Sequence, residues 1–368
     1  MSCEIVRGRL YFQMACTPEN DPSHHYFSMD DDTTLEGKNV YDALYFGPLN
    51  QAGIYNFCCL VDSMLHSIPA EKKSVLYTTD CVGLLEAKKR AHSVFLCATF
   101  AICRLKMTVE NIYGLLGQHF HYSTLAPYFD MGGKISHNLD ILDCLKAFEK
   151  AVAQGLIEFD KFDVQKYNRE DSRYNLNWII PKKLLAMADP QMMPDFSKVR
   201  KHLKEIGVKV VVRLNKHDNL LKYGRGYDAR SFTNHRFKHY DLYVEDSGIP
   251  PGGIIKKFMR IVDGKCCKKV AVHCCRRLGR TGSLISCYLM KKFRFSASKA
   301  VGWLCICRPG SVQKMRQHHL LELKQDAIMR GCRPREMKEG VVEKPFDLKS
   351  VHKRKNLYPI IEENEVQT

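Results

Sequence analysis

The chain has no apolar run long enough to cross a bilayer, and its first residues show no secretory signal pattern. A membrane-spanning or secreted class is therefore not expected. Cysteine is plentiful at 16 residues, yet no Cys-x-x-Cys pair with a second pair at zinc spacing occurs. Reduced thiols in an intracellular compartment are the expectation, and a metal site is not. The adjacent pairs Cys58-Cys59 and Cys266-Cys267 read as core and strand-edge residues. Acidic residues are in deficit, 40 Asp and Glu against 57 Lys and Arg, for a net charge of +17. Such a balance invites nucleic acid or acidic lipid. The basic residues are scattered, however, with Lys256-Lys257, Lys291-Lys292 and His352-Lys353-Arg354-Lys355 as local clusters, and no nucleic-acid-binding motif accompanies them. A solvated basic surface is expected, with no nucleic-acid partner.

What is present is more specific. A strand-like run, Val270-Ala271-Val272, leads into His273-Cys274-Cys275-Arg276-Arg277-Leu278-Gly279-Arg280-Thr281-Gly282 and then into a stretch of helical periodicity. A bare Cys-x5-Arg spacing says little, since Cys3 and Arg9 share it without a surrounding site. The context distinguishes the second occurrence. A phosphate dianion needs a ring of backbone N–H donors, which a tight loop entering a helix supplies together with the helix's positive end. Gly279 lets the backbone turn there, and Leu284, Ile285, Tyr288 and Leu289 give the helix a buried face. Cys274 at the base of this cradle is the candidate nucleophile, with the same dipoles favouring its thiolate. Arg280 can grip two equatorial oxygens at once, and Thr281 can hydrogen-bond the sulfur as it leaves a phosphocysteine. The competing account, a structural cysteine at a strand end with a chance Arg, does not explain why strand, His, Gly, Arg, Thr and helix fall in register.

A leaving alkoxide needs a proton donor. Tyr240-Asp241-Leu242-Tyr243-Val244 alternates like a half-buried strand and runs into the turn-rich Glu245-Asp246-Ser247-Gly248-Ile249-Pro250-Pro251. Asp246 is the candidate general acid, with Glu245 a competitor and plain solvation the alternative for either.

The chain length suits about two domains, and the element order suggests a duplicated unit. Ser74 to Thr79 reads as a strand, followed by a helix near Lys89 to Leu105 and another opening at Thr108 with Glu110 in its first turn. In the second half the Lys269 to Cys274 strand, the Arg280 to Phe293 helix and a helix opening at Ser296 repeat that order. Thr79 stands where Cys274 stands, and no Gly-x-Arg signature follows it. Asn138 to Gln154 reads as an amphipathic helix stopped at Gly155, and a charged stretch, Glu158 to Asn175, leads to Trp178. A helix over Asp195 to Ile206, a strand over Val208 to Leu214 and a helix near Ile254 to Val262 complete the second half. The alternation predicts an α/β fold with a mainly parallel sheet covered on both faces.

Several strings resemble the mitotic-exit dual-specificity phosphatases of the cell-division-cycle-fourteen type, within the cysteine-dependent protein tyrosine phosphatase superfamily. They include His239-Tyr240-Asp241-Leu242, Ala271-Val272-His273-Cys274, Leu278-Gly279-Arg280-Thr281-Gly282 and Ile306-Cys307-Arg308-Pro309-Gly310-Ser311. Arg9-Leu10-Tyr11-Phe12, Phe46-Gly47-Pro48-Leu49-Asn50, Asn177-Trp178-Ile179-Ile180-Pro181 and Val212-Arg213-Leu214-Asn215-Lys216 match in order. The resemblance implies two tandem dual-specificity-phosphatase-like domains joined by a helical linker: an inactive domain over 1–155, a linker over 156–178, a catalytic domain over 179–332 and a charged, disordered tail over 333–368. It also implies phosphoprotein substrates with Ser-Pro sites and a downstream basic residue, read by acidic groups at positions matching Asp130, Glu170 and Asp171. A nuclear or cytoplasmic placement follows from it too, extending to nucleolus, spindle or centrosome-like structures, with a role in mitotic exit, cytokinesis or cell-cycle control.

Departures from the family pattern are equally visible. Where the family reads Cys-Lys-Ala-Gly-Leu-Gly-Arg, this chain has Cys274-Cys275-Arg276-Arg277-Leu278-Gly279-Arg280, so Arg277 replaces a glycine. That exchange strains the loop if the position needs a left-handed backbone. Alternatively, Arg276 and Arg277 add positive charge at the mouth of the pocket. Cys275 offers an oxidation partner for Cys274, or has no role. Gln317 is the candidate to position the hydrolytic water. The expectation is a dual-specificity phosphatase acting through a phosphocysteine, with no cofactor required by that chemistry. The alternatives are an enzyme for polyphosphorylated inositides and a weakly catalytic phosphoprotein-binding module.

Overall fold

The computed structural model describes residues 2–14, 21–28, 46–69, 71–78, 81–126, 128, 139–215, 227–245, 250–264, 269–274, 279–311, 321 and 325–330. They divide into two compact units, one within Met1–Tyr41 and Gly53–Ala126, the other within Asp42–Ala52 and Pro127–Gly331.

In the first unit, β1 (Ser2–Val6), β2 (Leu10–Met14), β3 (His24–Phe27) and β4 (Lys73–Thr78) form a sheet of order β1-β2-β4-β3. The β1–β2 pair is antiparallel, and β4 pairs in parallel with both neighbours. Helix α1 (Gln51–Ser67) carries the adjacent pair Cys58-Cys59, Cys58 buried and Cys59 half-buried. Burial along 51–67 follows helical periodicity, so Cys58 is a core residue, as expected, and Cys59 is only partly covered. Helix α2 (Leu84–Phe100) continues into one π turn, Ala101–Leu105. It starts five residues before the expected Lys89, because Leu84 and Leu85 are exposed apolar residues and so do not join the buried stripe that marks a helix in sequence. Helix α3 (Val109–Gly117) opens as expected at Thr108, whose side chain accepts from the Asn111 amide at 3.2 Å.

The second unit opens with α4 (Ile141–Ala153), capped by Asp140 and followed by Gly155 at φ 64°. Within the charged stretch, α5 (Val164–Tyr174) ends in Asn175 at φ 46°, a left-handed cap that asparagine adopts more readily than most residues. Then come β5 (Leu176–Ile180), β6 (Leu184–Met187), α6 (Phe196–Glu205), β7 (Val210–Arg213), the single turn α7 (Arg230–Thr233) and β8 (Lys238–Asp241). They are followed by α8 (Gly252–Val262), β9 (Val270–His273), α9 (Gly279–Phe293), α10 (Ala297–Cys307) and α11 (Gln325–Arg330). The sheet order is β5-β6-β9-β7-β8, parallel except for the β5–β6 pair. Val211, Ala271, Leu185 and Met187 pack with Val199 and Leu203 of α6 in one apolar cluster. Their neighbours Val210, Val212, Val270 and Val272, which point the other way along the same strands, are also fully buried. Both faces of the sheet are covered, as the continuous apolar strands predict for a parallel arrangement.

Two contacts tie the last helices to this frame. Buried Trp303 of α10 donates from Nε1 to the Ile179 carbonyl at 3.1 Å. Gly302 lets α10 approach α4 closely: a Cβ there would lie 3.3 Å from both Ala147 Cβ and Cys144 Cα. Gly302→Val is accordingly expected to cost roughly 1–3 kcal/mol. A chemical-denaturation midpoint lowered in proportion would show it, and an unchanged midpoint would mean that the helices are free to separate.

Candidate active site

Strand β9 lies at the centre of the sheet, between β6 and β7, and all four of its residues are buried. Cys274 follows it directly and is 2% exposed. The chain re-enters regular structure at Gly279, the first residue of α9. The nucleophile candidate thus sits at the carboxyl end of a central parallel strand, just ahead of a helix N-terminus, the place where open α/β sheets bind ligands. Cys275, Arg276, Arg277 and Leu278, which would supply the cradle between them, lie outside the described residues.

Arg280 and Thr281 come from the first turn of α9. Arg280 donates from Nη1 to the Val244 carbonyl at 3.4 Å. Val244 is itself fixed, because its amide donates to the Leu214 carbonyl at 3.0 Å and its side chain is buried. The guanidinium is therefore joined to the segment that carries Asp246 two residues later, although Asp246 falls outside the described residues. Thr281 is 2% exposed, and its Oγ1 has no hydrogen-bond partner among the described residues. A buried hydroxyl left unpaired is costly, and it suits a group reserved for an incoming atom or for the sulfur. By contrast, the Ser283 hydroxyl in the same helix is occupied, donating to the Gly279 carbonyl at 2.9 Å.

Four other buried cysteines are chemically quiet. Burial pushes the thiols of Cys58, Cys97, Cys144 and Cys307 well above the ordinary range, so they remain protonated packing residues.

The proposed substrate-reading carboxylates are placed differently from one another. Glu170 is only 3% exposed and faces His202 Nε2 at 3.5 Å, with Tyr174 stacked on the same imidazole at 4.1 Å. Asp171 is half-buried and accepts from Asn177 Nδ2 at 3.2 Å. Asp130 and Gln317 lie outside the described residues. Asp171 and Asn177 belong to a cluster around Arg308, a residue to which the sequence alone assigns no role. Arg308 is 3% exposed and donates from Nη1 to the Asn175 carbonyl (2.9 Å) and Asn177 Oδ1 (2.6 Å), and from Nη2 to Asn175 Oδ1 (2.5 Å). Burial lowers its pKa to about 10, while Asp171 and Cys274 act in the opposite sense, so Cys274 lies within electrostatic reach of this cation.

A second group unassigned by the sequence surrounds His273. Its imidazole is fully buried; Nε2 is 2.6 Å from Tyr227 Oη, and Nδ1 faces Asp189 Oδ2 at 3.9 Å. Arg213 donates to the Tyr227 carbonyl at 2.7 Å and to Asp241 at 2.6 Å, the residue opposite it in the β7–β8 register. An arginine ending an otherwise all-valine buried strand was the available signal, since such a charge demands a partner. Asn215, just past β7 at the same sheet edge, is 5% exposed, and neither of its amide atoms is bonded among the described residues.

Comparison with known proteins accords with this geometry. Residues 4–151 match the family model described as the N-terminal half of dual specificity protein phosphatase, and residues 173–336 match a DSP-PTPase phosphatase domain of the Swiss Army Knife type. The chain is 37% identical over 338 residues to dual specificity protein phosphatase CDC14AB of Danio rerio, covering 87% of this chain and 51% of that protein. It is 35% identical to CDC14A of Homo sapiens, over 90% of this chain and 55% of that protein. Against human CDC14C it is 33% identical, over 88% of this chain and 71% of that protein. The chain thus spans about half the length of the first two relatives. Collinear identity across both tandem phosphatase-like domains, with Cys274 and Arg280 at the one strand-to-helix junction that carries the signature, places this chain in the CDC14 family of dual specificity protein phosphatases.

Proposed function

We propose that this chain is a cysteine-dependent protein phosphatase that hydrolyses phosphoserine, phosphothreonine and phosphotyrosine through a phosphocysteine. The observation that carries the reading is the junction of β9 and α9: a buried Cys274 at the strand end, with Arg280 in the helix's first turn and bonded to the Val244 carbonyl. In the proposed cycle, Cys274 sulfur attacks phosphorus while Asp246 protonates the departing oxygen. Arg280 holds two of the equatorial oxygens, and the cradle from His273 to Gly279 supplies amide donors. Water, positioned by Gln317, then attacks the phosphocysteine, giving up its proton to Asp246. The Thr281 hydroxyl donates to the sulfur as it departs.

The substrate class proposed is a phosphoprotein with a Ser-Pro site and a basic residue downstream, in keeping with a role opposing proline-directed kinases at cell division and with nuclear or cytoplasmic placement. The relatives' names as dual specificity protein phosphatases support a phosphoprotein substrate. For the basic residue, Asp171 is the half-buried carboxylate of the pair on α5, whereas Glu170 is turned to His202. A phosphopeptide library varying the residue after phosphoserine and the downstream basic position tests the reading, with inositol phosphates run in parallel. Preference for proline at the next position with a downstream Lys or Arg is the expected outcome. Faster turnover of the inositol phosphates would replace it with the small-molecule reading, and failure to hydrolyse any phosphomonoester would leave a binding module.

A further inference from the structure

The geometry points to Asp189 as a positioning residue that selects the tautomer of His273, the residue beside the nucleophile, through a His273–Tyr227–His239 relay. The assignment rests on Cys274 being the attacking thiol, but its test reads the imidazole and does not depend on turnover.

Tyr227 Oη is 2.6 Å from His273 Nε2 and 2.9 Å from His239 Nε2. One phenol has one hydrogen. Both contacts use a buried O–H fully only when Tyr227 donates to one imidazole and accepts from the other. Two arrangements satisfy this. In the first, Tyr227 donates to His273 Nε2, so His273 carries its proton on Nδ1 and His239 carries its proton on Nε2. In the second, every donor and acceptor is reversed.

The carboxylates at the two far ends decide between them. His273 Nδ1 faces Asp189 Oδ2 at 3.9 Å, and His239 Nδ1 faces Asp241 Oδ2 at 3.8 Å. Each separation exceeds a direct hydrogen bond, so each carboxylate acts by its charge. The distances are nearly equal, but the surroundings are not. Asp189 is 1% exposed, and its Oδ2 has no hydrogen-bond partner among the described residues. Asp241 is 54% exposed and already bonded to Arg213 Nε at 2.6 Å. Solvent and the guanidinium therefore screen Asp241, while Asp189 acts through a low-dielectric interior. An ionised Asp189 selects Nδ1–H on His273, and the first arrangement prevails.

The groups facing Asp189 are His273 from β9, the charge of Arg213 from β7, and the Gln191 amide, which donates to its Oδ1 at 3.1 Å. Burial raises the Asp189 pKa to about 6 against the partial opposition of Gln191 and Arg213. His273 stays neutral, since burial holds its pKa well below the ordinary value, and burial likewise lowers His239 to about 4. Between pH 5 and 7.5 the group that titrates in this cluster is thus Asp189 and neither imidazole. On protonation its bias disappears, Asp241 and Asp228 on the His239 side become the carboxylates acting on the relay, with the Arg213 charge opposing them, and the second arrangement takes over. The ring next to Cys274 therefore exchanges its anchored acceptor for a donor on a single proton uptake.

The test is long-range ¹⁵N correlation on the full chain labelled at histidine, with His273 assigned by its loss in His273→Asn. At pH 7.5 the expected spectrum shows His273 protonated on Nδ1 and bare at Nε2, reversing towards pH 5 with a midpoint near 6. In Asp189→Asn the midpoint is expected to vanish. Tyr227→Phe, which uncouples the two rings, is expected to leave His239 insensitive to Asp189 and to lower kcat/KM by about 10-fold, as loss of an orienting partner does. A His273 ring protonated on Nε2 at pH 7.5 in the unaltered protein would overturn the assignment whether or not either variant folds, and so would a pH-driven reversal persisting in Asp189→Asn. Turnover in Cys274→Ser tests the nucleophile, whereas the spectra of the unaltered protein and of Asp189→Asn test the tautomer, so the two readings fail separately.

Discussion

Cys274→Ser is expected to lower phosphomonoester turnover by about 10⁴-fold or more, the scale on which removal of a covalent nucleophile is felt, while the protein still binds inorganic tungstate. The substitution changes one atom at a site only 2% exposed, so it neither opens a cavity nor alters the entry into α9. A serine hydroxyl in the same place lacks a thiolate's nucleophilicity. In the proposed mechanism the substitution leaves Arg280 and the backbone donors to the oxyanion unchanged, and binding should therefore survive the loss of chemistry. Steady-state rates on an aryl phosphate, paired with calorimetric tungstate titration, measure both. Retained turnover in the serine variant would move the nucleophile elsewhere.

Arg280→Lys is expected to reduce kcat/KM by about 10²–10³-fold, or roughly 3–4 kcal/mol of transition-state stabilisation. An ammonium keeps the charge but not the planar fork that grips two oxygens. It also cannot both reach a phosphate and hold the Val244 carbonyl, which Arg280 contacts at 3.4 Å. The second loss matters because the chain runs from Val244 to Asp246, the proposed acid, so the substitution is expected to act on both proposed roles. The thermal midpoint should shift little, since Arg280 is only half-buried. A fall in turnover matched by a large fall in midpoint would instead assign Arg280 to folding.

The parts of this site that were readable in the sequence share a physical basis. Strand β9, Cys274 and helix α9 are contiguous, so one apolar run, one loop and one helical period announce them together. Helix starts at Thr108, Asp195 and Ser296 are legible because a capping side chain is a local chemical need, and each of these residues accepts a backbone N–H from its own first turn, whereas the start read at Asn138 falls two residues later, at the cap Asp140. Strands β1 to β3 carry no comparable signal, being four or five residues long with partly exposed faces. Tertiary partners left no local trace either. Glu170 lies in a helix rich in charge that reads as solvated, yet it is buried against His202. Asp189, Tyr227, His239 and His273 come from four separate segments that only the parallel sheet brings together, so no spacing rule could have grouped them.

The covalent step itself can be observed directly. Mixing the protein with a radiolabelled phosphopeptide, quenching in acid within the first turnover and mapping the label by mass spectrometry should find phosphate esterified to Cys274 Sγ. Full hydrolytic activity with no label on any cysteine would contradict that outcome and require water to attack the substrate without a protein-bound intermediate.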